Sequence, residues 1–238
     1  MQRDWRNPDD YAFTRDLSPE LWAWQFLRRN PEYRKDYDWF ISAWRELEAD
    51  YGVAPNRDFS RWKLDPRAYA PDEMTQGFCE EDKSCASPDG DKVMIECAMG
   101  AKWGFYKFPN PPDIEFPDVP DKLIWRELDI QAREPASETQ TYETDLRFDL
   151  RLPLSEQLTS ARRQLISRQR RFQQRGEGFS IDRLTRYLRL IDAGDSNNHE
   201  IADQLYEGNK EILEKHRQLS TIICQADYRL LAISTIKK

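Results

Sequence analysis

The residues of this chain whose type and spacing best suit a chemical task are arginines, and most of them lie in one stretch. Nine arginines and only two acidic residues occur between positions 160 and 190. Six of them precede position 176 and three follow at intervals of three residues: Arg162, Arg163, Arg168, Arg170, Arg171, Arg175, Arg183, Arg186 and Arg189. Guanidinium groups repeated along the side of a helix are typical of surfaces that follow a phosphate backbone. The first hypothesis from these residues is therefore contact with nucleic acid.

A second interpretation of the same arginines stays open. The whole chain has a net charge of −7 although this stretch is strongly positive, so the remainder is strongly acidic. Arginines on a solvated helix can pair with carboxylates elsewhere in the same chain. An acidic front that masks a basic surface would agree with both interpretations.

No residue pattern predicts catalysis, a metal or a cofactor. The four cysteines are Cys79, Cys85, Cys97 and Cys224, and the two histidines are His199 and His216. The spacing of the first three cysteines fits no common zinc motif, and the histidines are about a hundred residues further on. There is no glycine-rich phosphate loop and no recognisable catalytic triad. We expect a non-enzymatic protein without cofactor or metal, and no disulfide framework.

The location expected for this protein is the cytoplasm. The N-terminal residues "MQRDWRNPDD" lack the apolar stretch of a signal peptide. No run of 18 apolar residues occurs, so no membrane partner is expected.

Residues 1–52 predict an aromatic helical hairpin. Ser18 is a good N-cap before Pro19, and the pair Asn30-Pro31 separates two runs with apolar residues at helical spacing. Most rings fall on the side of each helix that would be buried, whereas Trp22 falls off that side. A partner protein would therefore contact Trp22, Trp24, Arg28 and Arg29.

Residues 53–152 predict a loop-rich segment with short strands. The apolar runs at 92–99 and 102–108 suggest a β-hairpin or two short strands, and residues 123–128 suggest a further strand or a helical turn. Between 143 and 152 the residues Leu146, Phe148, Leu150 and Leu152 alternate with polar ones, which is typical of a strand. The fold class expected is α+β, with a small β-rich middle.

Residues 153–238 predict an all-helical unit similar to a helix-turn-helix. A helix near 181–192 is followed by a turn, the short helix "HEIADQLYEG" and a longer helix from about Asn209. An ordinary helical bundle would use the same connections. In a DNA-binding unit, phosphates and bases would be contacted by Arg162, Arg163, Arg170, Arg171, Arg183, Arg186, Ser196, Asn197, Asn198, Lys210 and Arg217. Of these, Asn197, Asn198 and Lys210 suit base edges.

The N-terminal run "YAFTRDLSPELWAWQFLRRNPEYRKDY" resembles the "transcriptional regulator domain" family found on proteobacterial integrative and conjugative elements. The segments "KWGFYKFPNPPD", "FDLRLPLSEQLTSARRQL" and "LTRYLRLIDAGDSNNHEIADQLY" are similar to later parts of that family. Its N-terminal signature falls on Trp22, Trp24, Phe26, Leu27, Arg28, Arg29, Asn30, Pro31 and Tyr33. Its second C-terminal helix falls on Ile201, Ala202 and Leu205. Members include activators of element excision and transfer, and antiactivators that bind them.

The resemblance implies a DNA-binding transcriptional regulator of a mobile genetic element, with double-stranded DNA as its partner. The alternative is a protein-interaction module that docks through its aromatic N-terminal domain. Such a module would be an antiactivator or a subunit of a larger nucleoprotein complex. Self-association also stays open.

Overall fold

The computed structural model describes residues 3–71, 92–106, 108–119, 123–126, 144, 146–174, 179–234 and 236, with the backbone alone for 171–174. The regular structure of these residues is helical, and they contain no β-strand. The α+β prediction with a β-rich middle is therefore wrong. Two isolated bridges join described residues, Tyr69 with Met94 and Phe105 with Trp125.

Nine α-helices follow one another in the described parts of the chain, after a 3₁₀ helix at Pro8–Asp16. They are α1 (Pro19–Leu27), α2 (Pro31–Tyr51), α3 (Phe59–Trp62), α4 (Ile95–Trp103), α5 (Leu154–Gln174), α6 (Ile181–Ala193), α7 (Asn198–Tyr206), α8 (Lys210–Ile222) and α9 (Tyr228–Ala232). A short 3₁₀ helix at Pro66–Ala68 follows α3, and a π-helical turn at Ile223–Asp227 joins α8 to α9.

The aromatic helical hairpin has the ends that its sequence predicts. The Ser18 hydroxyl accepts a hydrogen bond from the Leu21 backbone N–H at 3.3 Å and begins α1. The Asn30 side chain accepts from the N–H groups of Glu32 and Tyr33 and begins α2. A proline occupies the first position of each helix, where its missing N–H costs nothing.

The segment predicted as the first strand is a helix. From Ile95 the chain forms α4, and the side chains of Ile95, Ala98 and Met99 are completely buried. Their spacing of three and four residues is helical, but Lys92 and Glu96 are the only charged residues of this short run and do not show which period applies. Gly104, with φ of 80°, ends the helix in the left-handed region, so the second predicted strand is also wrong.

The described residues of the alternating segment at 143–152, which are 144 and 146–152, do not form a strand either. Residues 146–149 have no regular structure, and Leu150 and Leu152 are 85% and 55% exposed. An alternating pattern becomes a stable strand only when a neighbouring strand supplies hydrogen bonds, and the described residues offer none here. The first residues of the segment at 123–128 contribute only the bridge of Trp125.

Among the described residues, the buried hydrophobic side chains other than Ala161 form one continuous cluster from Trp5 to Leu231. Helix α1 packs against α9, and α8 packs against both α6 and α7. The N-terminal hairpin and the C-terminal helices therefore contribute to the same core. The division into segments 1–52, 53–152 and 153–238 stays a prediction.

Candidate nucleic-acid interface

Helices α6, α7 and α8 form the framework of the candidate interface. The Ser180 side chain caps α6, and buried Leu188, Ile201 and Leu213 lie between the three helices. Between α7 and α8 the chain turns within three residues. Glu207 and Gly208 both have positive φ angles, 52° and 80°, and Asn209 caps α8. Two helices joined by such a tight turn agree with the predicted order of elements; the assignment as a DNA-binding helix-turn-helix stays a prediction.

Four basic side chains come together where α6 meets α8. We name them the α6–α8 basic patch: Arg183, Arg186, Lys215 and His216. Burial lowers the pKa of His216 first, and the positive charges of Arg183, Arg186 and Lys215 lower it further. Among the described residues, no carboxylate shifts this pKa. The patch therefore concentrates positive charge, with Arg186 and Lys215 exposed and Arg183 half-buried.

Two tyrosines hold the imidazole of this patch. The His216 ring lies edge-on to the rings of Tyr187 and Tyr206, with a centroid distance of 5.2 Å to each. Its Nδ1 is 3.2 Å from the Tyr206 hydroxyl oxygen. Because its pKa is lowered from 6.5, the ring is neutral at pH 7 and the arginines supply the charge.

Arg189, the third arginine of the three-residue repeat, lies outside the patch. Its guanidinium donates hydrogen bonds to the backbone oxygens of Trp5 at 2.7 Å and Arg6 at 3.1 Å. Residues three apart on a helix differ by about 60° in direction, so the third member of such a repeat has turned well away from the first. Arg189 thus attaches α6 to the N-terminal segment.

The residues predicted to approach DNA bases have separate places. The Ser196 hydroxyl donates to the Ala193 oxygen at 2.6 Å after the end of α6, and Asn197 caps α7 by accepting from the His199 N–H at 2.9 Å. Asn198 and Lys210 are exposed in the first turns of α7 and α8. Arg217 is half-buried, and its Nη2 has no hydrogen-bond partner.

The arginines of α5 form a separate group. Arg162, Arg163, Arg168 and Arg170 are exposed, and α5 has no extensive packing against another helix in the described part of the chain. For Arg171 only the backbone is described, and Arg175 lies outside the described residues. A DNA-binding role for Arg162, Arg163, Arg170 and Arg171 stays a prediction.

The four residues predicted to bind a partner are all engaged within the chain. Trp22 and Trp24 are completely buried, and the Trp24 Nε1 donates to the Ile114 oxygen at 2.9 Å. The Arg28 Nε donates to the Pro112 oxygen at 3.0 Å, and burial lowers the pKa of Arg28 to about 10. Arg29 is paired with Asp192. The proline-rich segment after residue 109, which the sequence shows only as a connector, covers part of this surface.

The site residues predicted from the sequence do not include Asp192, Lys215 and His216. Asp192 accepts hydrogen bonds from Arg29 and Tyr11, which are 163 and 181 residues away in the chain. No local spacing signals a contact between such distant residues. Lys215 and His216 could have been found by asking which basic residues of α8 share a face with its buried residues.

The cysteines and histidines form no metal site in the part of the chain that the structure describes. Cys224 is a buried free thiol whose pKa is raised to about 11, mainly by burial. Cys97 is disulfide-bonded, although the sequence predicted no disulfide framework. Cys79 and Cys85 lie outside the described residues. No helix among the described residues is long and apolar enough to span a membrane.

Comparison with known proteins agrees with the aromatic signature. Residues 4–73 match the family model of the proteobacterial transcriptional regulator-like domain. No curated protein and no solved structure gives a match. The match includes the 3₁₀ helix, α1, α2 and α3 and ends before α4. Over residues 4–73 the chain therefore matches the proteobacterial transcriptional regulator-like family that its aromatic run resembles.

Proposed function

We propose that this protein is a non-enzymatic transcriptional regulator that binds duplex DNA through the α6–α8 basic patch. The observation that carries the proposal is the concentration of Arg183, Arg186 and Lys215 around His216, where no carboxylate of the described residues acts on the pKa of the imidazole. The family match of residues 4–73 supports a regulatory role. The mobile-element context comes from the resemblance of the sequence alone.

Like charges that lie close together repel one another, and an anion between them relieves that repulsion. A DNA backbone presents phosphates at regular intervals, so two arginines and a lysine on neighbouring helices suit contact with adjacent phosphates. In this proposal Arg183, Arg186 and Lys215 contact phosphate groups. His216, neutral at pH 7, packs between the tyrosines and keeps the patch in shape.

The exposed face of α8 indicates how the helix would meet DNA. Beside Lys215 it carries Glu211, Ile212, Leu219 and Ile222, all exposed. A carboxylate and aliphatic side chains are poorly suited to a phosphate-lined groove. We therefore propose that the edge of α8 next to α6 lies on the backbone, and that Asn198 and Lys210 are the side chains that approach bases.

The test is a mobility-shift titration of a short duplex at salt concentrations between ~50 and ~200 mM. The wild-type protein should bind at low salt and lose affinity steeply as salt rises. The variant Arg183→Gln/Arg186→Gln should reduce the slope of log K against log salt by about 1.8, which is ~0.9 for each lost phosphate contact.

The control variant is Arg15→Gln/Arg45→Gln, which removes the same charge from two exposed arginines of the N-terminal region. Its slope should equal that of the wild type. The proposal fails if the wild-type protein binds no duplex at low salt. It also fails if the control variant reduces the slope of log K against log salt as much as the α6 variant does.

A further inference from the structure

Helix α5 carries an exposed apolar stripe. Leu154, Leu158 and Leu165 are 49%, 57% and 41% exposed, and buried Ala161 lies between the last two. These residues follow one another at intervals of four, three and four, which is the spacing of a helix that packs lengthwise against another helix. Yet α5 has no extensive packing against any other helix in the described ranges.

Positive charge lines this stripe. Arg162 lies along one edge, and Arg168 continues the line of the stripe one turn after Leu165. Arg163 and Arg170 point to the opposite face of the same helix. All four are exposed, and Glu156 is the one acidic residue in the sequence of α5.

The charge pattern decides between the candidate occupants. A second copy of α5 would place arginines against arginines along the seam, with a single glutamate to offset them, and like charges at such positions disfavour pairing. A DNA backbone would leave the leucines exposed. A helix that has apolar residues on one side and glutamates along both edges would cover the leucines and pair with Arg162 and Arg168.

We propose that α5 binds an acidic amphipathic helix of a partner protein, with Leu154, Leu158 and Leu165 as the apolar seam, Arg162 at one edge of the seam and Arg168 at its end. This surface is separate from the α6–α8 basic patch and does not rest on DNA binding. It also differs from docking through the buried tryptophans of α1.

The probe is a fluorescein-labelled synthetic helix with leucine at its a and d heptad positions and glutamate at e and g. Repulsion between the glutamates of two peptide copies prevents the peptide from forming a coiled coil with itself. A second peptide has the same leucines with lysine at e and g. Fluorescence anisotropy with the full chain should show binding of the acidic peptide, with the basic peptide bound about tenfold or more weakly.

Three double variants locate the binding. Leu158→Ser/Leu165→Ser should weaken the acidic peptide by about tenfold or more, because it removes the apolar seam. Arg162→Gln/Arg168→Gln should weaken it by about tenfold. Arg163→Gln/Arg170→Gln loses the same charge on the opposite face and should have a much smaller effect. Circular dichroism should show equal helix content in all variants.

Several results would overturn the proposal. The first is that the acidic peptide does not bind. The second is that the two arginine double variants lose the same affinity for this peptide. The third is that the leucine variant loses no affinity. Sedimentation velocity provides a further arm: a wild-type dimer that the leucine variant dissociates would identify a second copy as the occupant. If the leucine variant instead loses duplex binding in the mobility-shift assay, nucleic acid is the occupant.

Discussion

Asp192 joins the helix that carries the basic patch to the N-terminal segment. Its carboxylate accepts hydrogen bonds from the Arg29 Nε at 2.7 Å and Nη2 at 3.0 Å, and from the Tyr11 hydroxyl at 2.7 Å. The Arg29 side chain is only 8% exposed and also donates to Gln25. Burial, followed by the charge of Asp192, raises the pKa of Tyr11. The tyrosine therefore remains a donor at neutral pH.

Replacing Asp192 with asparagine should destabilise the protein strongly. The substitution keeps the size of the side chain but leaves the Arg29 guanidinium buried without a counter-charge, which costs about 3 kcal/mol in the free energy of unfolding. Urea unfolding followed by circular dichroism measures this cost. The control is Asp203→Asn on α7, whose carboxylate pairs with His199 at an exposed site and should change stability by less than about 1 kcal/mol. Equal effects of the two variants would contradict the assigned role of Asp192.

At the scale of single residues, the sequence indicated which side chains are important better than it indicated which side chains they contact. Arg29 stands in an aromatic run, and that position alone suggested a surface for another protein. The structure instead places it against Asp192, from a helix that follows 163 residues later. Which side chain meets a buried arginine depends on how the helices pack, and the sequence carries no local sign of that.

Helix α8 owes its direction to the turn that precedes it. Glu207 is the one non-glycine residue with a positive φ in the described parts of the chain, and Gly208 follows with φ of 80°. The Gly208 N–H donates to the Ala202 oxygen at 3.0 Å, which closes α7. A side chain at position 208 would be strained in this region of φ, and its Cβ would lie 3.3 Å from the Asp203 Oδ1.

Changes at the two turn positions should have opposite effects. Gly208→Ala should lower the free energy of unfolding by about 1–2 kcal/mol, because the Cβ of an alanine in the left-handed region lies too close to the following carbonyl oxygen. Glu207→Gly should leave stability unchanged or raise it by up to about 1 kcal/mol, since glycine adopts the same angles without strain. Thermal unfolding of both variants measures the difference. A Gly208→Ala protein as stable as the wild type would show that the turn has another conformation.

The caps of α1 and α2 made these two helices predictable, whereas α4 has no such cap and was predicted as a strand. Ser18 and Asn30 are N-cap residues followed by proline, and this pattern predicts the starts of α1 and α2. Met94, which precedes α4, makes no side-chain cap, and the run after it is mostly apolar, with Glu96 and Lys102 as its charged residues. Such a run satisfies the pattern of a buried strand as well as that of a buried helix. Only its packing against α2, which the sequence does not reveal, separates the two.

The family match ends well before the residues that cover its aromatic side chains. Tyr33 lies against Trp103 at a ring centroid distance of 5.3 Å and donates its hydroxyl to the Asn110 oxygen at 2.5 Å. Helix α1 packs against α9 near the other end of the chain. The core of the matched region at residues 4–73 thus includes side chains of later segments. A destabilising change in α9 should therefore alter the unfolding that the N-terminal tryptophans report.

Substitutions at two adjacent leucines of α9 can test this shared core. Leu231 is completely buried and Leu230 is 41% exposed. All eight tryptophans precede residue 126, so their fluorescence reports on the other end of the chain. Leu231→Ala should shift the tryptophan unfolding transition in urea by about 2–5 kcal/mol, whereas Leu230→Ala should shift it little. Circular dichroism should give the same transition as fluorescence, because one core unfolds cooperatively. If Leu231→Ala moves the helical signal and leaves the tryptophan signal in place, the C-terminal helices are an independent unit, as the predicted boundary at residue 153 requires.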